Sequence, residues 1–519
     1  MPEIVTCPQP RTVAVLPHRT GWAWPWWAPL LVALVVGLAF QGSRGLQETS
    51  ETRYAECARE MLVSGNWMEP TLEFQPHWTK PPVTYWCLAA GMKVFGVNAW
   101  GARLPGVLAF VLATGAVVAT ARRLRGRRSG LAAGLVFAVG LLPAAGAHVV
   151  TTDIFLTAAE AWAGAGFVFA ATERDRVRRS WWVAGMWAAF GLGFMIKGPP
   201  ALLPLLAFIP WSLLQPKERR VPLAGWGLLA FGAVALPWYV AMILRHPELL
   251  RYFVGTEIIA RVSTDLGHNR AWYKAFSEYG PALLLGLGVP GVWAWLIAWR
   301  EAAGRPGAVW RRLREARGPG LLLLGWLVLP LVVFAVSRSK LTLYVLPLTV
   351  PAAVLVGLLL AERAEWRRFR AVVLGSLAFV LAAKAAMPFY TTRQNMAALG
   401  EAIIAARAEW PEPGPVILWN EPTNHGVNFY LGATPHTLCE RIAVGEKQRF
   451  EEWSPAEWRL RYEAGAYPHG ALLVVARRKA QAELFRQFLP GLPAIESEHS
   501  TARWRLLRLE PLAAAGAGS

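Results

Sequence analysis

The chain contains a series of long apolar segments, and this feature limits its fold more than any other. We identify eleven, at residues 22–41, 100–120, 130–150, 154–171, 181–196, 199–215, 221–243, 279–299, 319–336, 341–361 and 371–388. Each is close to the roughly 20 residues that an α-helix needs to cross a bilayer. Lipid offers no partner for backbone polar groups, so these segments must be helical. The sequence predicts an α-helical polytopic membrane protein with about 11 spans.

The overall composition agrees with a membrane protein and excludes several other classes. Charged residues make up 17% of the chain and apolar residues 55%, whereas a soluble domain carries about 25% charged residues. So many apolar residues and 27 Trp exclude a disordered chain. Four Cys in 519 residues exclude a disulfide scaffold.

The net charge of +19 is explained by the loops between the apolar segments. Arginine clusters follow the second, fourth, sixth, eighth and tenth segments, at 122–128, 174–179, 217–220, 300–317 and 363–370. The loops between these clusters hold few basic residues. The positive-inside rule then places the arginine-rich loops and the N-terminus in the cytoplasm. No nucleic-acid partner is needed to explain the charge.

Two regions outside the spans are long enough to carry structure of their own. The first consists of the outer loops, 42–99 and 244–278, which belong to a transmembrane domain at 1–388. The second is the tail, 389–519, whose composition is that of a soluble protein. It shows a helical pattern at 391–410 and strand patterns at 415–419, 471–476 and 504–509. We predict a small α/β extracytoplasmic C-terminal domain.

The first outer loop is predicted to hold two helices. The stretch from Glu51 to Leu62 has an apolar stripe opposite a charged face, and Gly65 ends it. The second helix begins at Pro81-Pro82, where proline is tolerated. Both would lie on the outer membrane surface, with charges that are either solvated or functional.

Charged residues at the ends of apolar segments are candidates for a site. Asp153 and Glu160 are seven residues apart and share a helix face. Asp153 is either functional or an N-cap, and Glu160 is better explained as a partner for a polar group in the bundle. Lys197 and Lys340 lie at outer helix ends, where they either snorkel or form a cationic pocket for a phosphate.

The loop at 244–278 adds Arg261 and His268 to this side of the membrane. A lone histidine is more often structural than a metal ligand. No H-x-x-H or H-E-x-x-H spacing points to a metal. The residues alone therefore fit both an enzyme acting on a lipid-linked phosphate and an anion transporter.

Short blocks of sequence resemble a known family of membrane enzymes. The blocks are Glu51-Thr52-Arg53-Tyr54-Ala55-Glu56, Arg59-Glu60-Met61, Ser64-Gly65, Trp67, Lys80-Pro81, Thr152-Asp153, Lys197-Gly198, Trp238, Glu257 with Arg261 and His268, and Lys340-Leu341 with Tyr344. In this order they are similar to the lipid A aminoarabinose transferases, which belong with the protein O-mannosyltransferase-like membrane glycosyltransferases of the C-type fold. The resemblance covers about residues 20 to 350, and the tail resembles the family only in position.

The resemblance implies a function and a set of site residues. The family takes a sugar from a polyprenyl-phosphate donor and transfers it, usually with inversion, to a lipid or protein acceptor on the outer side of the bacterial inner membrane. The residues implied to surround the donor phosphate are Arg53, Tyr54, Lys80, Arg261, Lys340 and Tyr344, and Lys197 joins them as a cation. Asp153 matches the second acid of the family.

Two departures from the family pattern affect the chemistry. The first family acid is Ser50 here, and a serine cannot serve as a base near neutral pH. The base must then be Asp153, Glu51 or a displaced acid such as Glu48. The glutamate that commonly precedes Lys-Pro is Thr79, which removes a co-ligand from His268 if the protein uses a divalent metal.

Three functions remain open at this point. The first is a glycosyltransferase that uses a polyprenyl-phosphate sugar. The second is a degenerate relative that binds a lipid-linked sugar without catalysis. The third is an anionic-lipid transporter, although the sequence shows no sign of the inverted repeats common in transporters.

Overall fold

A computed structural model of the chain describes residues 24–223, 225–253, 255, 273–304, 318–337, 339–390, 394–421, 425–445 and 452–511. Its N-terminal part is almost entirely helical. The helices are α1 Ala28–Leu38, α2 Ser50–Ser64, α3 Val83–Phe95, α4 Ala99–Arg125, α5 Arg127–Ala138, α6 Leu141–His148, α7 Asp153–Thr172, α8 Arg176–Lys197, α9 Leu205–Leu213, α10 Trp226–Arg245, α11 Glu248–Arg251, α12 Lys274–Leu285, α13 Gly288–Gly304, α14 Pro319–Val336, α15 Thr349–Arg363 and α16 Trp366–Ala386.

The predicted membrane-spanning character is confirmed, but the count of spans is not. Among the described residues, six helices are long and apolar enough to cross a bilayer, and two bent pairs raise this to eight. The pairs are α5 with α6, bent by 55°, and α12 with α13, bent by 95°. The segments at 22–41 and 199–215 form shorter apolar helices, so about 11 spans remains a prediction.

The tail contains a six-stranded mixed sheet. Its elements are α17 Met396–Ala408, β3 Val416–Trp419, α18 His425–Leu431, β4 Glu440–Ile442, β5 Glu452–Trp453, α19 Pro455–Glu463, β6 Ala471–Ala476, α20 Lys479–Phe488, β7 Ala494–Glu496 and β8 Trp504–Leu509. The strand order is β5-β4-β3-β6-β8-β7. The neighbouring strands β5, β4, β3 and β6 are parallel to one another, and β8 is antiparallel to both β6 and β7. Strands β3 and β6 are buried at every residue, because helices cover both faces. The three predicted strands are present, whereas the domain boundary at 389 and its side of the membrane stay predictions.

The first outer loop forms the predicted helices α2 and α3. Gly65 ends α2 in the left-handed conformation (φ 70°), which glycine adopts without strain. Pro82 precedes the first residue of α3, in agreement with the prediction from Pro81-Pro82. Between them lies a short hairpin, β1 Thr71–Leu72 with β2 Gln75–Pro76.

The charged face of α2 is not solvated, contrary to one expectation. Glu56, Arg59 and Glu60 are all buried. Glu60 accepts hydrogen bonds from Thr71 Oγ1 and from two backbone N–H groups of the β1–β2 hairpin. Arg59 pairs with Glu56 and donates to the carbonyl of Ala433, just after α18. Helix α2 is therefore packed between the bundle and the sheet-containing tail.

Candidate functional site

Asp153 and Lys197 form an ion pair where two long helices meet. Asp153 is the first residue of α7 and Lys197 the last of α8, and Lys197 Nζ donates to Asp153 Oδ1. Their side chains are 9% and 13% exposed. Thr152, not Asp153, is the N-cap residue of α7, and the Thr152 side chain makes no capping hydrogen bond. The carboxylate is therefore available to partners outside its own helix.

Tyr344 adds an aromatic surface beside this ion pair. Lys197 Nζ lies 4.4 Å from the centre of the Tyr344 ring, within the range of a cation–π contact. The Tyr344 hydroxyl is 3.4 Å from Ser339 Oγ. The buried Lys340, next in sequence to Ser339, donates from Nζ to the carbonyl of Ser337. Lys340 thus lies in the segment that supplies Tyr344.

Helix α2 contributes Arg53 and Tyr54 to the same region. The Arg53 guanidinium lies 5.3 Å from the centre of the Tyr54 ring, and Arg53 Nε is buried without a hydrogen-bond partner among the described residues. Burial raises the pKa of Tyr54, although Arg53 and Lys197 act against this rise. The charges of Lys197 and Asp153 both act on the Tyr54 hydroxyl, so this part of α2 lies near the ion pair.

Lys80 lies in the segment that leads into α3. Its Nζ donates to the carbonyl of Thr79 (2.6 Å), while Thr79 Oγ1 bonds to His77 Nε2 (2.7 Å). Tyr85, in the first turn of α3, packs its ring 5.9 Å from that of Tyr54. The start of α3 therefore connects Lys80 to Tyr54.

The structure brings five predicted site residues into one cluster, which we call the Asp153 cluster: Arg53, Tyr54, Asp153, Lys197 and Tyr344. Arg261 and His268 lie outside the described residues. Ser50, the vacated acid position, is exposed at the start of α2.

Glu51, the second candidate base, is held in a buried ionic network. Its carboxylate accepts from Arg44 (2.8 Å), from Arg103 (3.1 and 3.2 Å) and from the backbone N–H groups of Gln47 and Val150 (both 3.0 Å). Burial would raise its pKa, but Arg103 and Arg44 hold the pKa of Glu51 below its usual value. A carboxylate with this many donors is better suited to fixing the structure than to accepting a proton.

The network was not predicted from the sequence, although a signal for it exists. Arg103 also donates to the carbonyls of Gln41, Arg44 and Gly45. Lys384 donates to the carbonyls of Val36 and Gly37 at the end of α1. Both cations lie within apolar segments, where an isolated charge indicates a buried partner. Both residues were overlooked because those segments were interpreted only as membrane spans.

No metal-binding group is found in the described part of the chain. There, no three His, Cys, Asp or Glu side chains are placed to hold a metal ion together. Thr79 supplies only a hydroxyl, which already bonds to His77. At the position of the family glutamate the chain thus offers a hydroxyl in place of a carboxylate, and His268 lies outside the described residues.

An apolar groove begins next to the Asp153 cluster. The groove has a volume of about 760 Å³ and is lined at one end by Val83, Phe155 and Ile196. It continues to Leu112 and Trp162, in the middle of α4 and α7. We call it the long apolar groove. A phosphate at the cluster could therefore carry an apolar chain that lies in this groove.

Residues 79–244 match the family described as dolichyl-phosphate-mannose-protein mannosyltransferase. This segment is similar to that mannosyltransferase family. It contains Lys80, Asp153 and Lys197, and the resemblance inferred from the sequence blocks is confirmed.

Curated proteins similar to this chain include transferases named for aminoarabinose. An undecaprenyl phosphate-α-4-amino-4-deoxy-L-arabinose arabinosyl transferase from Pseudomonas fluorescens Pf0-1 is 34% identical over 364 residues, which is 68% of this chain and 63% of the relative. A transferase of the same description from Pseudomonas aeruginosa UCBPP-PA14 is 34% identical over 352 residues, which is 65% of this chain and 60% of the relative. The chain thus spans about three fifths of the length of the curated relatives it matches.

The fold is shared with a solved structure over a greater length. Crystal structures of ArnT from Cupriavidus metallidurans, bound to undecaprenyl phosphate and in the apo state, match with TM-scores of 0.73 and 0.71. Each comparison covers 93% of this chain and 97% of the other, at 21% identity. The chain therefore has an ArnT-like fold.

Proposed function

We propose that the protein is a membrane glycosyltransferase that moves a sugar from a polyprenyl-phosphate donor to a lipid or protein acceptor. The observation that carries the proposal is the Asp153 cluster, where one carboxylate and two cations meet two tyrosines. The cluster adjoins the long apolar groove, so a headgroup and an apolar tail can be bound together. The relatives named for transfer from undecaprenyl phosphate support the donor class.

The cations of the cluster are proposed to bind the donor phosphate. Arg53 has a buried Nε without a hydrogen-bond partner in the described part of the chain, and Lys197 is held over the Tyr344 ring. Charged donors stabilise the negative charge that builds up on a leaving phosphate. Lys80, Lys340 and, in the undescribed loop, Arg261 would complete the phosphate site.

Asp153 is proposed to be the general base. It would accept the proton of the acceptor hydroxyl while that oxygen attacks the anomeric carbon. The bond from the anomeric carbon to the phosphate oxygen breaks, and polyprenyl phosphate leaves with the bonding electrons. Lys197 pairs with this carboxylate and would contact the departing phosphate. Attack opposite the leaving group inverts the anomeric centre.

The direct test is sugar transfer by the full-length protein in proteoliposomes. A radiolabelled undecaprenyl-phosphate aminoarabinose donor and a lipid A acceptor are the first pair to use, because the curated relatives are named for that sugar carrier. We expect label in the acceptor lipid and release of undecaprenyl phosphate. Binding of the donor without transfer to any lipid or protein acceptor would contradict an active enzyme.

Donor binding should depend on Arg53. Arg53→Ala removes a charged hydrogen-bond donor, and we expect it to weaken binding of undecaprenyl phosphate by about 1.5–3 kcal/mol. Arg178→Ala is the matched control, because Arg178 is exposed on α8. Binding can be measured by native mass spectrometry or ligand-dependent thermal shift. Equal affinity in wild type and Arg53→Ala would remove Arg53 from the phosphate site.

The orientation of the chain is part of the proposal. We infer about 11 spans in a domain at 1–388, with the arginine-rich loops and N-terminus in the cytoplasm and residues 389–519 forming a periplasmic domain. A bacterial inner-membrane location follows from the curated relatives. This arrangement puts the Asp153 cluster on the periplasmic side.

Cysteine labelling of intact cells tests this orientation. Arg174 and Glu463 are both exposed, so a cysteine at either position would be accessible. We expect a membrane-impermeant maleimide to label Glu463→Cys but not Arg174→Cys until the cells are lysed. Wild type gives the background, since Cys57 and Cys439 are buried and Cys87 is half-buried. Labelling of Arg174→Cys from outside would reverse the proposed topology.

A second candidate function is binding of a lipid-linked sugar without catalysis. Ser50, where the family has its first acid, favours it, because this residue lies three positions before Arg53 on α2 and carries no carboxylate. Ser50→Asp restores that acid. Transfer by Ser50→Asp, but not by wild type, would establish the degenerate relative.

A further inference from the structure

A second groove lies on the outward face of α1, α4 and α7, at the end of α4 remote from the Asp153 cluster. It has a volume of about 750 Å³, and we call it the arginine groove. Its walls are Trp26 and Trp162, its floor includes Gly115, and Arg122 and Arg123 lie at its end. Gly115 leaves space between two lining residues, because a Cβ there would lie 3.7–3.8 Å from Leu30 and Trp162, at ordinary contact distance.

The two arginines at the end of the groove differ in their partners. Arg123 donates to the hydroxyl (2.7 Å) and carbonyl (3.2 Å) of Thr172 and lies 3.5 Å from Glu173. Arg122 is exposed and makes no hydrogen bond or ion pair with any residue that the structure describes. Glu173 is thus already matched by Arg123, and the positive charge of Arg122 is uncompensated.

The dimensions of the groove fit one leaflet of a bilayer. It follows α4 from Val111 to Arg122, a distance of about 17 Å at 1.5 Å per residue. Half of the hydrocarbon core of a bilayer is about 15 Å. Trp26, 52% exposed, is suited to the interface between headgroups and acyl chains.

We propose that the arginine groove is a binding site for an anionic phospholipid, with the phosphate at Arg122 and an acyl chain over Gly115. A charged end and an apolar trough of one-leaflet length match the two parts of such a lipid. Basic pockets between membrane helices bind anionic headgroups in this way. The arginine groove meets the long apolar groove at Val111, Leu112 and Trp162, but its charged end lies at the opposite end of α4 from the Asp153 cluster. The proposal does not depend on the proposed transfer reaction.

Native mass spectrometry of the full-length protein tests the proposal, with phosphatidylglycerol and phosphatidylcholine of matched acyl chains as probes. Wild type should retain phosphatidylglycerol preferentially. Arg122→Ala should weaken this binding about fivefold and leave phosphatidylcholine unchanged, in line with about 1 kcal/mol per basic residue near anionic lipid. Arg174→Ala, an exposed arginine outside the groove, is the matched control and should bind as wild type does.

Gly115→Leu tests the apolar part, because its side chain would fill the floor between Leu30 and Trp162. It should weaken retention of both phospholipids, with the melting temperature confirming that the variant is folded. If Gly115→Leu does not fold, the phospholipid retention of Arg122→Ala alone tests the proposal. Equal retention of the two lipids by wild type would overturn the proposal, as would equal losses in Arg122→Ala and Arg174→Ala. Displacement of phosphatidylglycerol by equimolar undecaprenyl phosphate would assign the groove to the prenyl donor instead.

Discussion

Asp153→Asn is expected to lower the rate of sugar transfer by about 10²–10⁴-fold, the usual contribution of a positioned acid–base group. Asparagine keeps the size of the side chain at the first position of α7, and Thr152 rather than Asp153 is the N-cap residue. The change removes the charge that pairs with Lys197. Transfer should therefore be lost while the protein still inserts and folds.

The measurements for Asp153→Asn are transfer in proteoliposomes, donor affinity and melting temperature. Asp175→Asn is the matched control, because Asp175 caps α8 from an exposed loop and asparagine can make the same cap. That control should transfer at the wild-type rate. A wild-type rate in Asp153→Asn would reject the base assignment, and loss of folding would show that the ion pair with Lys197 is mainly structural.

Helix positions could be predicted from the sequence because local signals determine them. Gly65 ends α2, Asp153 begins α7, and the strands at 471–476 and 504–509 lie where the apolar patterns predicted them. These features depend on residues close together in the chain. The short strands β4, β5 and β7 were not predicted from the sequence. Each has only two or three residues, too few to show the alternation of apolar and polar residues that indicates a strand.

The partners of each charge could not be predicted, because they come from distant segments. The polar face of α2 is buried by β1–β2 and by the tail: Arg59 donates to the carbonyl of Ala433, 374 residues away. The Asp153–Lys197 pair joins two helix ends 44 residues apart. The family resemblance named both residues for the site but gave no geometry between them.

Because charge partners come from distant segments, the sequence and the structure lead to different interpretations of Glu51. Its sequence neighbour Ser50 suggested that Glu51 could replace a missing acid. In the structure, Arg103 donates hydrogen bonds to both carboxylate oxygens of Glu51. Arg103 is 52 residues away, within an apolar segment. Through Val150 the carboxylate also fixes the backbone three residues before Asp153. Glu51 is thus better explained as a residue that positions the start of α7.

Glu51→Gln should reduce the free energy of unfolding by about 3–5 kcal/mol, the usual cost of removing one partner from a buried ion pair. The change leaves Arg44 and Arg103 buried without their carboxylate. Because the pKa of Glu51 is lowered, its contribution to stability is present above the ordinary glutamate pKa and is lost as the pH falls below it. The free energy of unfolding of wild type should therefore fall in acid. Glu51→Gln should lack this part of the pH dependence.

Glu69→Gln is the matched control for this loss of stability. Glu69 lies 3.2 Å from Arg245, which is 54% exposed, and such surface pairs contribute about 1 kcal/mol or less. Thermal or denaturant unfolding in one detergent, across pH, compares the two variants with wild type. A stable Glu51→Gln that binds donor but transfers no sugar would make Glu51 the base. An unstable Glu51→Gln whose remaining folded fraction still transfers sugar would confirm that Glu51 positions the site, because a missing base cannot be compensated by folding.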